Sequence, residues 1–274
     1  MRKNIVRVLN KKRTFYVIAI CLVFALLFAL LDVCWYRYSG GAWYVGPSWD
    51  FAQGSGTLSS YKSLAFVGSI LMQLLLPLLL PFLVSDSYYS DSKQGIIPVI
   101  FSRKKNYAYF LEGILSSFLL GAFFALLILS FYKIFLIISL PFEMNTHYVF
   151  LGKFKTDIYF DDALFPNVYL SNPYMYLLCM TIVQSVFLGI IAALAYAFSM
   201  NNSKHKVVAI GLPSIIILAL NQLTTSGIHW FGLLFEFNVR EEYPFTPYTP
   251  LFIIIATTII LFITGLRKNK DYLK

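Results

Sequence analysis

The chain alternates between long apolar stretches and polar ones, and six of the apolar stretches run nearly free of charge: Phe15–Tyr36, Leu64–Ser85, Tyr107–Tyr132, Tyr174–Met200, Val207–Leu223 and Thr249–Leu266. Crossing the hydrocarbon of a bilayer takes about 20 mostly apolar helical residues, so each stretch predicts a transmembrane helix. The second, fourth, fifth and sixth contain no charged residue. Asp32 falls in the last turns of the first and Glu112 in the first turns of the third, where a carboxylate reaches an interface. The fifth is the shortest and contains Pro213. Lys133 lies 26 residues after Tyr107. That is ~39 Å along a helix, more than a ~30 Å core, so Lys133 is expected to emerge from the bilayer.

Ahead of the first stretch, residues 1–13 set Ile5, Val6, Val8 and Leu9 among cations, a pattern for an interfacial helix lying on anionic lipid. The apolar run that follows is too long for the core of a signal peptide, and no small-residue cleavage site follows it. The expected fold is an all-α integral membrane protein, a single transmembrane domain over 1–274 with six transmembrane helices and an N-terminal interfacial helix. Three long connections remain, 37–63, 141–173 and 224–248. Within the last, His229–Phe237 is apolar but too short to span, which predicts a partly re-entrant segment before the sixth helix.

Composition agrees. The 274 residues are 58% apolar and only 13% charged, with a mean hydropathy of +0.70, against about 25% charge in a soluble domain. The formal net charge of +9 reads as topology rather than as a nucleic-acid footprint, because the cations flank apolar segments. Sixteen of the 22 lysines and arginines fall in the amino-terminal tail, the 86–106 loop, the 201–206 turn and the carboxy-terminal tail. The positive-inside rule then places both termini in the cytoplasm of a multi-pass cell-membrane protein. Trp35, Trp43, Trp49 and Trp230 fall on the opposite side, with most of the acids. Cys21, Cys34 and Cys179 form no disulfide framework.

The chemistry of known membrane enzymes is missing. His147, His205 and His229 are isolated and no H-E-x-x-H occurs, so no zinc site is expected. No span contains a histidine to activate a serine. No G-x-x-x-x-G-K-[ST] loop occurs to hold ATP phosphates. In place of ionisable groups the span interiors offer the amides Gln73, Gln184 and Asn221 for a translocation path, too little for the ionisable relay of an ion-coupled carrier. A chain of this kind, itself neither enzyme nor cofactor carrier, needs energy from another polypeptide to work against a gradient.

The 86–106 loop is polar in its first half and turns into an apolar block, Ile96–Phe101, before Ser102 and the basic run Arg103–Lys105. Bulky residues on a basic face want a groove in lipid or on a partner, and Ser102 can cap the third helix. Here the chain resembles the membrane subunits of type-2 ABC exporters, the ABC-2 permease family. The resemblance rests on an acidic residue, a glycine a few positions on, an apolar stretch and then Ser-Arg, which map onto Asp91, Gly95, Ile96–Phe101 and Ser102-Arg103. A basic amphipathic helix, six spans and both ends inside complete the likeness. One departure is that Ile100 stands where the family often has a proline, with Pro98 instead.

The resemblance implies a bacterial cell-membrane permease and a cytoplasmic coupling helix between spans 2 and 3. Asp91, Gly95, Ile96, Ile97, Pro98, Phe101 and Arg103 would engage a separate ABC ATPase that holds ATP and magnesium. A second permease subunit, identical or not, would complete the translocation path. Pro77 and Pro81, one turn apart in the second span, would loosen the helix beside the lever. The aromatic outer loops suit an amphipathic peptide, lipid or drug as cargo. Two other readings stay open: an ion-coupled carrier or channel acting alone, and a membrane sensor or assembly factor.

Overall fold

A computed structural model describes residues 2–10, 12–38, 75–103, 106–139, 168, 171–202, 205–225 and 248–268. Among these residues the chain is helical, with no strand. The helices are α1 (Arg2–Leu9), α2 (Lys12–Tyr38), α3 (Leu76–Val84), α4 (Ser87–Lys93), α5 (Ile97–Arg103), α6 (Asn106–Ser139), α7 (Pro173–Asn201), α8 (Lys206–Thr225) and α9 (Tyr248–Lys268). Among the described residues, three segments are long and apolar enough to cross a membrane: Thr14–Leu31, Tyr107–Ser139 and Tyr174–Asn201. A membrane-embedded protein follows. Gln73 and the re-entrant segment expected at 229–237 lie outside the described residues.

Local signals set several boundaries. Asn172 takes an extended backbone, and its side-chain oxygen accepts from the Tyr174 and Met175 amides, both at 3.1 Å. With Pro173 in the first turn, two amides that lack intrahelical partners are satisfied and a third N–H is absent at the start of α7. At the other end of α7, Lys268 Nζ donates to the Asn201 carbonyl at 2.5 Å, a cation on a helix carboxy terminus. The third long helix departs from expectation at both ends. It starts at Asn106, so Ser102 lies inside α5 instead of capping α6, and it continues past Tyr132 to Ser139.

The centre of the fold is the antiparallel pair α6 and α7. Apolar side chains gain little by leaving lipid for each other, so membrane helices associate through close packing and a few hydrogen bonds. Small residues provide the approach. A Cβ added at Gly189 would stand 2.7 Å from the Phe118 carbonyl oxygen and 2.9 Å from the Ala122 Cβ; one at Gly121 would stand 2.8 Å from the Ala192 Cβ. One end of the pair is set by Gly113, whose missing side chain is replaced by the Tyr196 ring; a Cβ there would overlap the Tyr196 hydroxyl.

Polar side chains fasten the remaining helices to this pair. Ser85 Oγ donates to the Ala192 carbonyl at 2.7 Å, holding the end of α3 to α7. Asn201 Nδ2 donates to the Leu261 carbonyl of α9 at 2.8 Å. Thr14 Oγ1 donates to the Val8 carbonyl at 2.6 Å, which closes the turn between α1 and α2. One apolar cluster joins these elements, with Ala25 and Ala29 from α2, Leu80 from α3, Ile128 and Leu129 from α6, Ile191 from α7, Ile217 from α8 and Ile254 from α9. Pro77 and Pro81 are both buried in α3, whose helix continues through Pro81 to Val84.

Gly189→Ala is expected to destabilise the purified protein in detergent by about 1–3 kcal/mol, because backbone on the facing helix must move to admit the methyl. Thermal unfolding checks it. Gly95→Ala, where nothing lies within 4 Å of the added Cβ, should cost only about 1 kcal/mol of backbone strain. Equal melting of parent and Gly189→Ala would remove close packing as the basis of the α6–α7 pair.

Candidate functional site

The segment between α3 and α6 folds as two short helices, α4 and α5, joined at a tight turn. Gly95, at φ +64°, takes the left-handed conformation that ends α4. Its amide donates to the Ser92 carbonyl at 3.2 Å, and the Ile96 amide donates to the Asp91 carbonyl at 3.1 Å. These two bonds are the pair that defines a Schellman stop, and glycine fills its left-handed position without a Cβ penalty. The glycine singled out in sequence as part of a coupling motif is therefore the residue that stops α4 ahead of α5.

Asp91, 1% exposed, is clasped from two directions. Arg7 of α1 donates through Nη1 to Oδ2 at 2.9 Å and through Nη2 to Oδ1 at 2.5 Å. Tyr109 of α6 donates its hydroxyl to Oδ2 at 2.6 Å. A buried carboxylate needs such partners, and the two-pronged guanidinium contact fixes direction as well as charge. The hydrogen bond and charge of Asp91 raise the Arg7 guanidinium above its already high ordinary value, against the opposing effect of partial burial. A raised cation keeps its contribution below the ordinary arginine range and loses it only above. Between about pH 6 and pH 9, Arg7 stays charged and its side of the clasp is constant.

The α4–α5 segment divides its apolar residues between two surroundings. Ile97 is buried with Tyr88, Tyr109, Phe110, Tyr196 and Met200. Tyr88 lies 5.8 Å from the Phe110 ring and 6.4 Å, edge-on, from Tyr196. Burying Ile97 in this aromatic seat contributes about 2 kcal/mol toward holding α5 against α6 and α7. Ile96, Pro98 and Val99 face outward, Val99 at 53% exposure. Five of the seven residues assigned to coupling thus fall into a buried acid, Asp91, a turn glycine, Gly95, a buried anchor, Ile97, and two exposed apolar residues, Ile96 and Pro98. Phe101 and Arg103 belong to α5, and their side chains lie outside the described residues. The same holds for the side chain of Asn221 in α8.

Gln184 has a definite partner, and it corrects the expectation for Lys133. The lysine is 5% exposed rather than free of the helices. Its Nζ donates to Thr181 Oγ1 at 2.9 Å and to Gln184 Oε1 at 3.0 Å, both on α7. Distance along α6 alone suggested escape from the bilayer. The helix instead continues to Ser139 with α7 packed alongside, so this turn is covered by protein. Neither Thr181 nor Lys133 was singled out as functional, since a charge at the edge of an apolar run reads as a boundary. Among the described residues no cluster of His, Cys, Asp and Glu could hold a metal ion.

Arg7→Met leaves Asp91 buried without its cation and should destabilise the protein by about 3 kcal/mol. Tyr109→Phe removes one hydrogen bond and should cost about 1 kcal/mol. The pair Arg7→Met with Asp91→Asn should lose less than the two single changes added together. Chemical or thermal unfolding of the four proteins decides it, and strict additivity would mean that the clasp has no energetic coupling. No family model, curated protein or solved structure matches this chain.

Proposed function

We propose that the chain is the permease subunit of a type-2 ABC exporter, which forms the translocation path and takes its power from a separate nucleotide-binding subunit. In this reading six helices span the cell membrane with both termini in the cytoplasm, and a second permease subunit faces this one across the path. The observation that carries the proposal is the build of the α4–α5 segment. A lever needs a stiff base and a free tip. The base is stiff because Asp91 is tied to Arg7 and Tyr109, and because Ile97 is seated among aromatic rings. The tip is exposed, with Ile96, Pro98 and Val99 on the accessible side of the segment. Apolar residues exposed beside basic ones suit a groove on a protein partner.

Work is transmitted only if the tip binds the ATP and ADP forms of the partner unequally. Movement of the α4–α5 segment would then reach α6 through Tyr109 and α7 through the Tyr88–Tyr196 contact. Cargo in this reading is an amphipathic peptide, lipid or drug. A second reading, a carrier working alone, draws support from buried Lys133, since ionisable side chains inside membrane helices mark ion and substrate routes.

Co-purification with the ABC ATPase of the same genome tests the first reading. Ile96→Glu with Val99→Glu should weaken the complex roughly tenfold or more, which corresponds to ~1.4 kcal/mol, and abolish transport while leaving melting unchanged, because both positions are exposed. An undiminished complex would reject the lever. Gradient-driven flux in liposomes holding only this chain would establish the second reading.

A further inference from the structure

Lys133 takes no part in the lever, and its surroundings point to a ligand. We propose that Lys133, oriented by Thr181 and Gln184, forms a site within the helical bundle for the acidic head group of an amphipathic molecule, a carboxylate or phosphate.

An ammonium group has three donors. Two are directed at Thr181 Oγ1 and Gln184 Oε1. Thr181 gives its own hydroxyl proton to the Leu177 carbonyl at 2.6 Å, which leaves its oxygen to accept from Nζ. Both acceptors are neutral. They aim the ammonium group without cancelling its charge, and among the described residues Lys133 has no carboxylate partner. A buried cation whose partners among the described residues are neutral oxygens gains from an anion, and an anion can use the third donor.

The flanks specify the rest of the molecule. On α6, Ile134 is 55% and Ile138 79% exposed; on α7, Leu178, Ile182 and Val186 are exposed as well. Both helices that supply the polar group therefore also carry outward-facing apolar side chains within a turn or two of it. A small inorganic anion would bring nothing to those side chains. A molecule with an acidic head and an apolar body satisfies both parts. The site does not depend on the lever reading, since it requires no ATPase and no particular direction of transport.

The test uses the full chain in phosphatidylcholine nanodiscs, titrated with radiolabelled dodecyl phosphate, with dodecanol as the neutral competitor. Saturable binding is expected, roughly tenfold weaker in Lys133→Met and within about threefold of the parent in Lys133→Arg. Dodecanol should not compete. Discs containing phosphatidylglycerol, followed by native mass spectrometry, separate the sources. Retained phosphatidylglycerol that is lost in Lys133→Met assigns the site to a bilayer lipid; dodecyl phosphate binding without such retention assigns it to a transported molecule. Lys133→Met should melt no lower than the parent, because an uncompensated charge is removed. If it does not fold, Gln184→Leu carries the test, keeping the charge and weakening binding by about threefold. Parental affinity in the variant tested, equal competition by dodecanol, or no binding of either probe overturns the proposal.

Discussion

The close approach of α6 and α7 at Gly121 and Gly189 is the constraint on which the other features depend. Once two backbones come so near, their relative height and rotation are fixed, because a shift by one residue drives a side chain into the facing carbonyl of Phe118 or the methyl of Ala122. That register places Tyr196 over Gly113 at one end of the pair and Thr181 and Gln184 beside Lys133 at the other. The aromatic seat of the α4–α5 segment and the oriented ammonium group are two consequences of one packing contact. Apolar burial could not supply such precision in lipid, where the surroundings are as oily as the side chains.

The α4–α5 segment has a different source of rigidity. Its fixed point is electrostatic, a buried carboxylate held by a cation from the first helix and a hydroxyl from the third long one. The turn at Gly95 is local, set by two backbone hydrogen bonds. Together they separate a buried side chain, Ile97, from the exposed Ile96, Pro98 and Val99 within four residues. This division is what makes the segment credible as a mechanical element: force on the exposed side has few soft places in which to dissipate.

Helical class and much of the element order were legible because apolar runs and their interruptions are written locally. The Asn172-Pro173 start shows how sharp such signals can be, with α7 covering 173–201 where a helix over 174–200 is expected. The same rule misread α6. Stopping a helix at a charge treats lysine as a mark of water, yet the amine of Lys133 found oxygens on a neighbour 48 residues away. Asp91 and Gly95 were recognised by pattern, but their physical roles, a clasp acid and a turn stop, needed coordinates. Gly113, Gly121 and Gly189 were not picked out at all, since a glycine in a helix announces nothing until the facing residue is known.

The Arg7–Asp91 clasp joins residues 84 positions apart, and this separation bears on how the chain is assembled during synthesis. Arg7 leaves the ribosome long before Asp91, and Tyr109 later still. Arg7 must therefore wait for its partner until the segment between α3 and α6 has been made. Asp91 meanwhile remains in water, where an unpaired carboxylate is comfortable, and is withdrawn only when both partners have arrived. The clasp can thus close only after α6 has begun to emerge, which makes it a late contact in the folding of the chain.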